Sequence, residues 1–346
     1  MGARRPEQPE PFLRGCAFPP VEDIPYPRAD PGPPGERLPR DTWQTACIPV
    51  GVRFELVGDA PSLEVEYETA TDELGYRGPG AGRHFCVWRG ERCIAEREAT
   101  LGRGTVLLPL GDGADASRAV LYLPEGMRPT VRALRGVGGS IEPAARQPRW
   151  LCYGDSIAEG WVASGPARAW PAVTGRAQGL DVINLGYAGA ARGEIATAEQ
   201  IAALSADVIS IAYGTNCWTR TPASAALFRA GLEAFLDVLR EGHPTTPILA
   251  LSPILRPDAE SAPNRFGATL SELRAIFEEV VGARVAQGDA ALELVPGAKL
   301  VAREQLPDGI HPDDAGHRAI AARLGPPLSA YTAARQGAPD SPGAPR

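Results

Sequence analysis

The segment Trp150-Leu-Cys-Tyr-Gly-Asp-Ser-Ile-Ala-Glu-Gly160 decides the fold. An apolar run ends abruptly at Gly154-Asp155-Ser156, and the residues after the serine favour a helix. A strand, a turn and a helix in this order are typical of an open α/β sheet, in which ligands bind beyond the carboxyl ends of the strands. We therefore expect the Ser156 hydroxyl to be open to a base, and we predict that Ser156 is a nucleophile.

The alternation of strand and helix continues along the rest of the chain. Residues 150–153, 181–185, 208–213, 248–251 and 292–295 form short apolar runs that helical stretches separate. Thr221 followed by Pro222 predicts the start of one helix, and Gly242 predicts its end. This alternation indicates a parallel sheet with helices on both faces, in a flavodoxin-like three-layer α/β domain.

A different pattern precedes this region. Residues 41–147 contain short runs such as Ser62-Leu-Glu-Val-Glu-Tyr-Glu68, in which apolar and polar residues alternate, and Gly, Pro and Asp clusters separate the runs. This spacing predicts an all-β sandwich or jelly roll. Residues 1–40 form a proline-rich leader that we expect to be extended on the surface. Residues 331–346 are predicted to be a disordered tail, which leaves 148–330 for the α/β domain.

Composition and charge exclude several classes of function. The net charge of −7 and the scattered Lys and Arg residues argue against nucleic-acid binding and against a polybasic membrane patch. The N-terminal residues have no apolar run that would make a secretory signal, and no apolar stretch is long enough to span a membrane. The six cysteines lack metal-binding spacing, so neither a metal nor a cofactor is expected. These features predict a cytoplasmic protein.

A nucleophilic serine needs a base, and the chain offers few. Of its four histidines, His311 lies in Asp308-Gly-Ile-His311, inside a loop rich in Gly and Pro. A loop at this place allows His311 to reach Ser156 while the Asp308 carboxylate holds the other ring nitrogen.

The reaction also needs donors for the oxyanion. Two further strand ends supply candidates, Gly189 in Asn184-Leu-Gly-Tyr-Ala-Gly189 and Asn216 in Gly214-Thr-Asn216. Gly189 has no side chain, so its backbone N–H can approach a substrate oxygen closely, with Gly186 as the competing choice. Asn216 offers a side-chain amide N–H.

These blocks, in this order, resemble the four sequence blocks of the SGNH or GDSL serine hydrolases, over roughly residues 148–330. The resemblance implies Ser156 as nucleophile, His311 as base and Asp308 as its orienting group. It also implies an oxyanion hole made of the Ser156 N–H, the Gly189 N–H and the Asn216 side chain. A β domain in front of such a hydrolase is similar to the carbohydrate esterase family 2 type of deacetylase.

The neighbouring residues have less specific patterns. Trp161 and Trp218 are the aromatic residues nearest the predicted site, and they either bind substrate or pack in the core. Asp155 and Asn184 are expected to hold turns through hydrogen bonds. His317 is expected to have a structural role.

The function that follows is a serine esterase that removes a short acyl group, such as acetyl, from a small polar substrate, an acylated sugar or a natural product. Two alternatives remain open. The same site serves an acyltransferase if an alcohol or amine replaces water as acceptor. The chain is instead a binding module if the α/β domain is catalytically inert.

Overall fold

The computed structural model describes residues 6–22, 24–72, 82–111 and 117–336, and the description of side chains ends at residue 332. The leader contains a short strand, β1 (Leu13–Arg14), and the helix α1 (Pro33–Glu36), and a second helix, α2 (Arg40–Ala46), begins at its last residue. Pro33 and Pro34 occupy the first turn of α1, where a missing N–H costs nothing because the first N–H groups of a helix have no partner.

The sequence analysis expected the leader to lie on the surface, but part of it is buried. Phe12 and Tyr26 belong to the core of the following β region, whereas Ala29 and Leu38 belong to the core of the α/β region. The proline content excludes long regular elements but leaves irregular backbone free to pack. The leader therefore contributes to two cores.

Two antiparallel sheets follow the leader. One has the strand order β1-β2-β7-β4-β5 with β9 beside β2, and the other has the order β6-β3-β8. Their inner faces enclose one apolar core, which includes Phe54, Val65, Phe85 and Leu121. The strands are β2 (Arg53–Val57), β3 (Ser62–Thr69), β4 (His84–Arg89), β5 (Arg92–Glu98), β6 (Gly102–Pro109), β7 (Ala119–Tyr122), β8 (Pro129–Val137) and β9 (Glu142–Pro143).

The sequence analysis did not identify the strand β5. Its residues are mostly charged and exposed, so the apolar alternation that predicts a half-buried strand is weak there. Pairing with β4 at the edge of the sheet, rather than burial, defines it. The predicted sandwich is otherwise consistent with these sheets, and its jelly-roll topology stays a prediction.

Five parallel strands form the sheet that the sequence predicts, and their order is the flavodoxin-like one in which the second strand lies outside the first. Alternate residues point to opposite faces, so Leu151 and Tyr153 enter one core while Trp150 and Cys152 enter the other. The strands are β10 (Arg149–Gly154), β11 (Asp181–Gly186), β12 (Val208–Ala212), β13 (Ile248–Leu251) and β14 (Leu292–Val295).

Helices cover both faces of this sheet and complete the predicted α/β fold. One core includes Ile201, Phe235 and Phe277 from three helices, and the other includes Trp170 and Ile320 from two more. The helices are α3 (Ser156–Glu159), α4 (Trp170–Gln178), α5 (Ile195–Ala203), α6 (Ala225–Gly242), α7 (Leu270–Ala286) and α8 (Asp314–Gln336). No helix in the described ranges is both long and apolar enough to cross a membrane.

Two boundaries differ from the sequence-based expectation. Helix α6 begins after Ser224, whose hydroxyl accepts from the Leu227 N–H, whereas the N–H of Thr221 donates to the Asn216 carbonyl. The Thr221-Pro222 pair therefore belongs to the preceding loop.

Helix α8 continues to Gln336, into the segment predicted as a tail. It continues because Leu328 is buried and the Tyr331 hydroxyl donates to Glu293 at 2.7 Å. Residues 337–346 of that segment lie outside the described ranges.

The β sheets and the parallel sheet meet at Arg53. Its guanidinium donates to Asp181 at 2.8 Å and to the Val182 carbonyl at 2.9 Å, at the start of β11. A third bond joins it to Glu55 within its own strand at 2.7 Å. Arg53 is buried, and charge-assisted bonds to two carboxylates offset the loss of its hydration.

Candidate active site

Ser156 is the first residue of α3, directly after the carboxyl end of β10. Asp155 caps this helix, since its Oδ1 accepts from the Ile157 N–H at 3.0 Å. A Cβ at position 154 would lie 2.7 Å from the Ala212 carbonyl oxygen, so only glycine fits where the chain turns. The local sequence therefore forces a tight turn from strand to helix and presents the serine hydroxyl at the edge of the sheet.

Ser156, His311 and Asp308 form one hydrogen-bonded chain. The Ser156 Oγ lies 2.8 Å from His311 Nε2, and His311 Nδ1 lies 2.6 Å from Asp308 Oδ2. Because a carboxylate only accepts, the proton on Nδ1 faces Asp308, and Nε2 is left with a lone pair toward the serine. This arrangement suits removal of a proton from the Ser156 hydroxyl.

Asp308 also organises the loop that carries the histidine. Its Oδ1 accepts from the backbone N–H groups of Ile310 at 2.9 Å and His311 at 2.8 Å. Burial acts to raise the pKa of Asp308, but the hydrogen bonds from His311 and these amides outweigh it, and the pKa lies below its ordinary value. The group is therefore ionised at neutral pH, as an acceptor for His311 must be.

Asp155, the carboxylate next to the nucleophile, differs from Asp308. Burial raises the pKa of Asp155 to about 7, and the hydrogen bond from the Ile157 N–H acts in the opposite direction. Its side chain caps α3, whereas the two ring nitrogens of His311 bond to Ser156 and Asp308. The geometry is consistent with the structural role expected from the sequence.

Asn216 and Gly189 lie in two loops that are joined to each other. The Asn216 amide donates to the Ala191 carbonyl at 3.0 Å, and an amide of this kind has a second N–H to offer. Gly189 has φ +69°, a left-handed conformation that favours glycine.

The N–H of Gly186, the competing glycine, already donates to the Asn184 side-chain oxygen at 2.8 Å. The geometry therefore favours Gly189 as the backbone donor. The side-chain amide nitrogen of Asn184 donates to the Ala158 carbonyl at 2.8 Å. Asn184 thus holds the strand end beside α3, in the loop-bonding role that the sequence suggests.

The two candidate tryptophans have different surroundings. The Trp161 ring lies 5.0 Å from the His311 ring, centroid to centroid, and its indole N–H donates to Glu159 at 3.0 Å. Trp218 donates to the Ala262 carbonyl at 2.9 Å, and the Arg256 guanidinium covers its ring. Trp161 therefore packs against His311, whereas the contacts of Trp218 are with Ala262 and Arg256. Substrate binding by either stays a prediction.

His317 acts as a support. Its Nδ1 accepts from the Trp170 N–H at 3.3 Å, and its Nε2 donates to the Trp161 carbonyl at 3.2 Å. Burial lowers the pKa of His317 to about 4, so the ring is neutral at neutral pH. These contacts fit the structural role that the sequence analysis gave it.

Sequence reasoning missed Arg28 and Glu159. Arg28, in the leader, donates to Glu159 at 2.8 Å, to the Asn184 carbonyl at 3.2 Å and, by a shorter bond, to the Gly186 carbonyl. Both side chains of the ion pair are fully buried. The leader thus ties the nucleophile helix to the loop that leads to Gly189. Nothing local in the sequence marks Arg28, because its partners are remote in the chain.

Comparison with known proteins finds a family similar to the α/β region. Residues 152–319 match the model of the GDSL-like lipase/acylhydrolase family. No curated protein matches the sequence. The resemblance to SGNH or GDSL hydrolases that the sequence indicates is therefore confirmed by a family match over just under half of the chain.

Solved structures extend the likeness to nearly the whole chain. The salicylyl-acyltransferase SsfX3 from a tetracycline biosynthetic pathway is 26% identical, with a TM-score of 0.80 over 94% of this chain and 97% of its own. A GDSL-like lipase candidate from Bacteroides ovatus is 20% identical, with a TM-score of 0.75 over the same shares, 94% and 97%. A family 2 carbohydrate esterase from Clostridium thermocellum is 16% identical, with a TM-score of 0.58 over 81% and 91%. The last two establish the fold alone.

Proposed function

We propose that this chain, with its GDSL-type acylhydrolase region, is a serine esterase for short acyl esters of a small polar molecule, and that acetyl is the preferred acyl group. The observation that carries the proposal is the hydrogen-bonded chain Ser156–His311–Asp308 at the carboxyl end of the parallel sheet. The substrate is a small-molecule ester, such as an acylated sugar or natural product.

The proposed reaction proceeds through an acyl-enzyme. His311 Nε2 takes the Ser156 hydroxyl proton as Oγ attacks the ester carbonyl carbon, and the carbonyl electrons move to the oxygen. The Ser156 and Gly189 N–H groups and the Asn216 amide donate to this oxyanion. When the intermediate collapses, the C–O bond to the alcohol breaks and the alcohol leaves with the proton from His311.

Water completes the cycle. His311 takes a proton from a water molecule, whose oxygen attacks the acyl carbon. The second tetrahedral intermediate then collapses: the bond between Oγ and the acyl carbon breaks, His311 returns the proton to Oγ, and the carboxylic acid leaves. Asp308 accepts the hydrogen bond from Nδ1 throughout, which stabilises the imidazolium that forms at each step. Every group in this scheme acts by proton transfer, attack or hydrogen bonding.

The first test is the Ser156→Ala variant with para-nitrophenyl acetate as substrate. We expect kcat to fall by about 1,000-fold or more, because loss of the nucleophile removes the acyl-enzyme route and leaves only binding and oxyanion stabilisation. The matched control is Ser329→Ala on α8, which removes a hydroxyl outside the site. A Ser156→Ala variant as active as the wild type would refute the proposal.

An acyltransferase is the second candidate function. The likeness to a salicylyl-acyltransferase over 94% of the chain favours it. The chemistry differs in one step only, since an alcohol or amine replaces water as the acceptor for the acyl-enzyme. Incubation with para-nitrophenyl acetate and candidate alcohols, followed by mass spectrometry of the products, separates the two. Acylated alcohol in excess of free acetate identifies a transferase, and free acetate alone identifies an esterase.

A further inference from the structure

A pocket of about 650 Å³ opens beside Gly189. Its walls come from four parts of the chain: helix α2 with the residues after it, the turn before β8, and the two loops of the proposed oxyanion hole. Trp43, Cys47, Arg128, Gly189 and Arg220 are among the lining residues. We call this space the arginine pocket, and its volume is in the range of small-molecule sites.

Arg220 connects the arginine pocket to the oxyanion donors. A Cβ at Gly189 would lie 3.4 Å from Arg220 Nε and 3.7 Å from its Nη2, so the guanidinium packs over this glycine. Arg220 is four residues after Asn216 in the same loop, which a bond from the Thr221 N–H to the Asn216 carbonyl closes at 2.9 Å. A group attached to an ester carbonyl at Gly189 is therefore next to the Arg220 charge.

Arg128 contributes a second positive charge. It has φ +49°, a left-handed conformation that non-glycine residues rarely adopt and that is found at functional sites when the surroundings hold it. The turn that contains it lies between a buried Met127 and the first residue of β8. Within the described residues, no hydrogen bond or ion pair to an acidic side chain is recorded for Arg128 or Arg220.

The acidic lining residue, Asp41, is itself paired with an arginine. Asp41 accepts two bonds from Arg192, at 3.0 and 2.7 Å. Burial acts to raise the pKa of Asp41, but the hydrogen bonds and charge of Arg192 outweigh it and lower the pKa. Arg192 also contacts Glu194 at 3.4 Å. Asp41 is therefore already paired with a guanidinium, and Arg128 and Arg220 are the cationic side chains that line the arginine pocket.

We propose that the arginine pocket binds an anionic group of the ester substrate, a carboxylate or a phosphate, with Arg220 and Arg128 as its ligands and the Trp43 ring as a wall. Guanidinium groups suit such anions because their N–H donors match two oxygens at once. The inference rests on the proposed esterase or transferase function for the identity of the reacting group. It narrows the substrate to esters that carry a negative charge near the acyl carbon.

Two pairs of esters test the proposal and locate the charge. In the first pair the anion is in the acyl half: the para-nitrophenyl hemiester of adipic acid against its methyl ester. In the second pair it is in the alcohol half: para-acetoxybenzoate against its methyl ester. The wild type is expected to prefer the anionic member of at least one pair in kcat/KM, and that pair shows which half of the substrate enters the arginine pocket.

The variant Arg220→Gln should lower the ratio of anionic to neutral kcat/KM by about 10- to 100-fold, the usual worth of a hydrogen bond to a charged group. Arg229→Gln is the matched control. It removes an equal charge from the exposed face of α6, where Arg229 pairs with Glu279, and it should leave the ratio unchanged. Equal use of both members of both pairs by the wild type, or an unchanged ratio in Arg220→Gln, would overturn the proposal.

Alkylation of Cys47 tests the arginine pocket without using catalysis. Iodoacetate is anionic and iodoacetamide is neutral, so their rate ratio at one thiol reports the local charge. Arg128→Gln should lower this ratio at Cys47 and leave it unchanged at the exposed Cys93 on β5. An unchanged ratio at Cys47 would overturn the anion site.

These measurements separate the two proposals. Hydrolysis of neutral esters without any anionic preference would remove the arginine pocket from the account and leave the esterase. Failure to process any ester, with an Arg128-dependent ratio at Cys47, would remove the esterase and leave an anion-binding site.

Discussion

The strand-end loops and the leader contribute to the same site in different ways. The loops carry the groups that react, and their partners can be close in sequence, as Asp308 and His311 are, three positions apart. The leader carries Arg28, whose partners Glu159 and Gly186 are 131 and 158 positions away. Reactive groups are recognisable from residue type and spacing, whereas the groups that hold them in place are recognisable only from the folded structure.

The largest effect should come from the loop side, in Asp308→Asn. An amide can donate to His311 and favour the wrong tautomer, so the lone pair of Nε2 no longer faces Ser156. We expect kcat for para-nitrophenyl acetate to fall by up to about 10,000-fold, the loss seen for this change in a serine protease triad. Asp237→Asn, on the exposed face of α6, serves as the control. Retention of wild-type kcat by Asp308→Asn would mean that another group orients the histidine.

On the leader side, Arg28→Met should destabilise the fold. The change removes the cationic partner of the buried Glu159 carboxylate, which keeps the bond from the Trp161 N–H, and loss of one member of a buried ion pair costs about 3–5 kcal/mol in the free energy of unfolding. Urea denaturation of the variant measures it. The double variant Arg28→Met/Glu159→Leu should recover much of the loss, since no charge is then left buried. If Arg28→Met were as stable as the wild type, the Arg28–Glu159 pair would not stabilise the contact between the leader and the site.

The variant Asn216→Ala tests the proposed oxyanion hole through its effect on the activation free energy. Loss of one such donor reduces kcat by about 100- to 1,000-fold, with a smaller effect on KM because the charge develops only in the transition state. Steady-state kinetics with para-nitrophenyl acetate gives both constants. A rise in KM with unchanged kcat would assign Asn216 to ground-state binding instead.

The smallest effect is expected from the second ion pair of the leader, Arg37 with Glu199. Their side chains are 60% and 40% exposed, and exposed pairs contribute about 1 kcal/mol or less. Arg37→Gln should therefore leave the free energy of unfolding nearly unchanged. It is the matched control for Arg28→Met, and a comparable loss in both would show that leader docking, rather than the buried pair, is responsible.

Much of the α/β region could be predicted from the sequence because its strands are apolar and short. The strands β13 and β14 have the predicted bounds, 248–251 and 292–295. The proposed triad residues could be predicted because each lies in a short sequence motif, Gly154-Asp-Ser156 or Asp308-Gly-Ile-His311. Their proximity in the structure agrees with the prediction, and their catalytic roles stay proposals.

The rest depends on contacts between remote segments. The docking of the leader could not be predicted, because its prolines exclude regular elements without excluding burial. The start of α6 was misplaced because Thr221-Pro222 and Ser224 are both good capping residues, and only the bond from Thr221 to Asn216 distinguishes them. The arginine pocket has no sequence signature, since its walls come from four separate segments of the chain. The division into leader, sandwich, hydrolase and tail also stays a prediction.

Labelling with a fluorophosphonate tests the central claim most directly. The probe phosphonylates a serine only if a base activates that hydroxyl, so the reaction does not depend on the true substrate. We predict a single adduct in the intact protein, located on Ser156 by peptide mapping and lost in His311→Ala. An unlabelled protein, or an adduct on a different serine, would contradict the account.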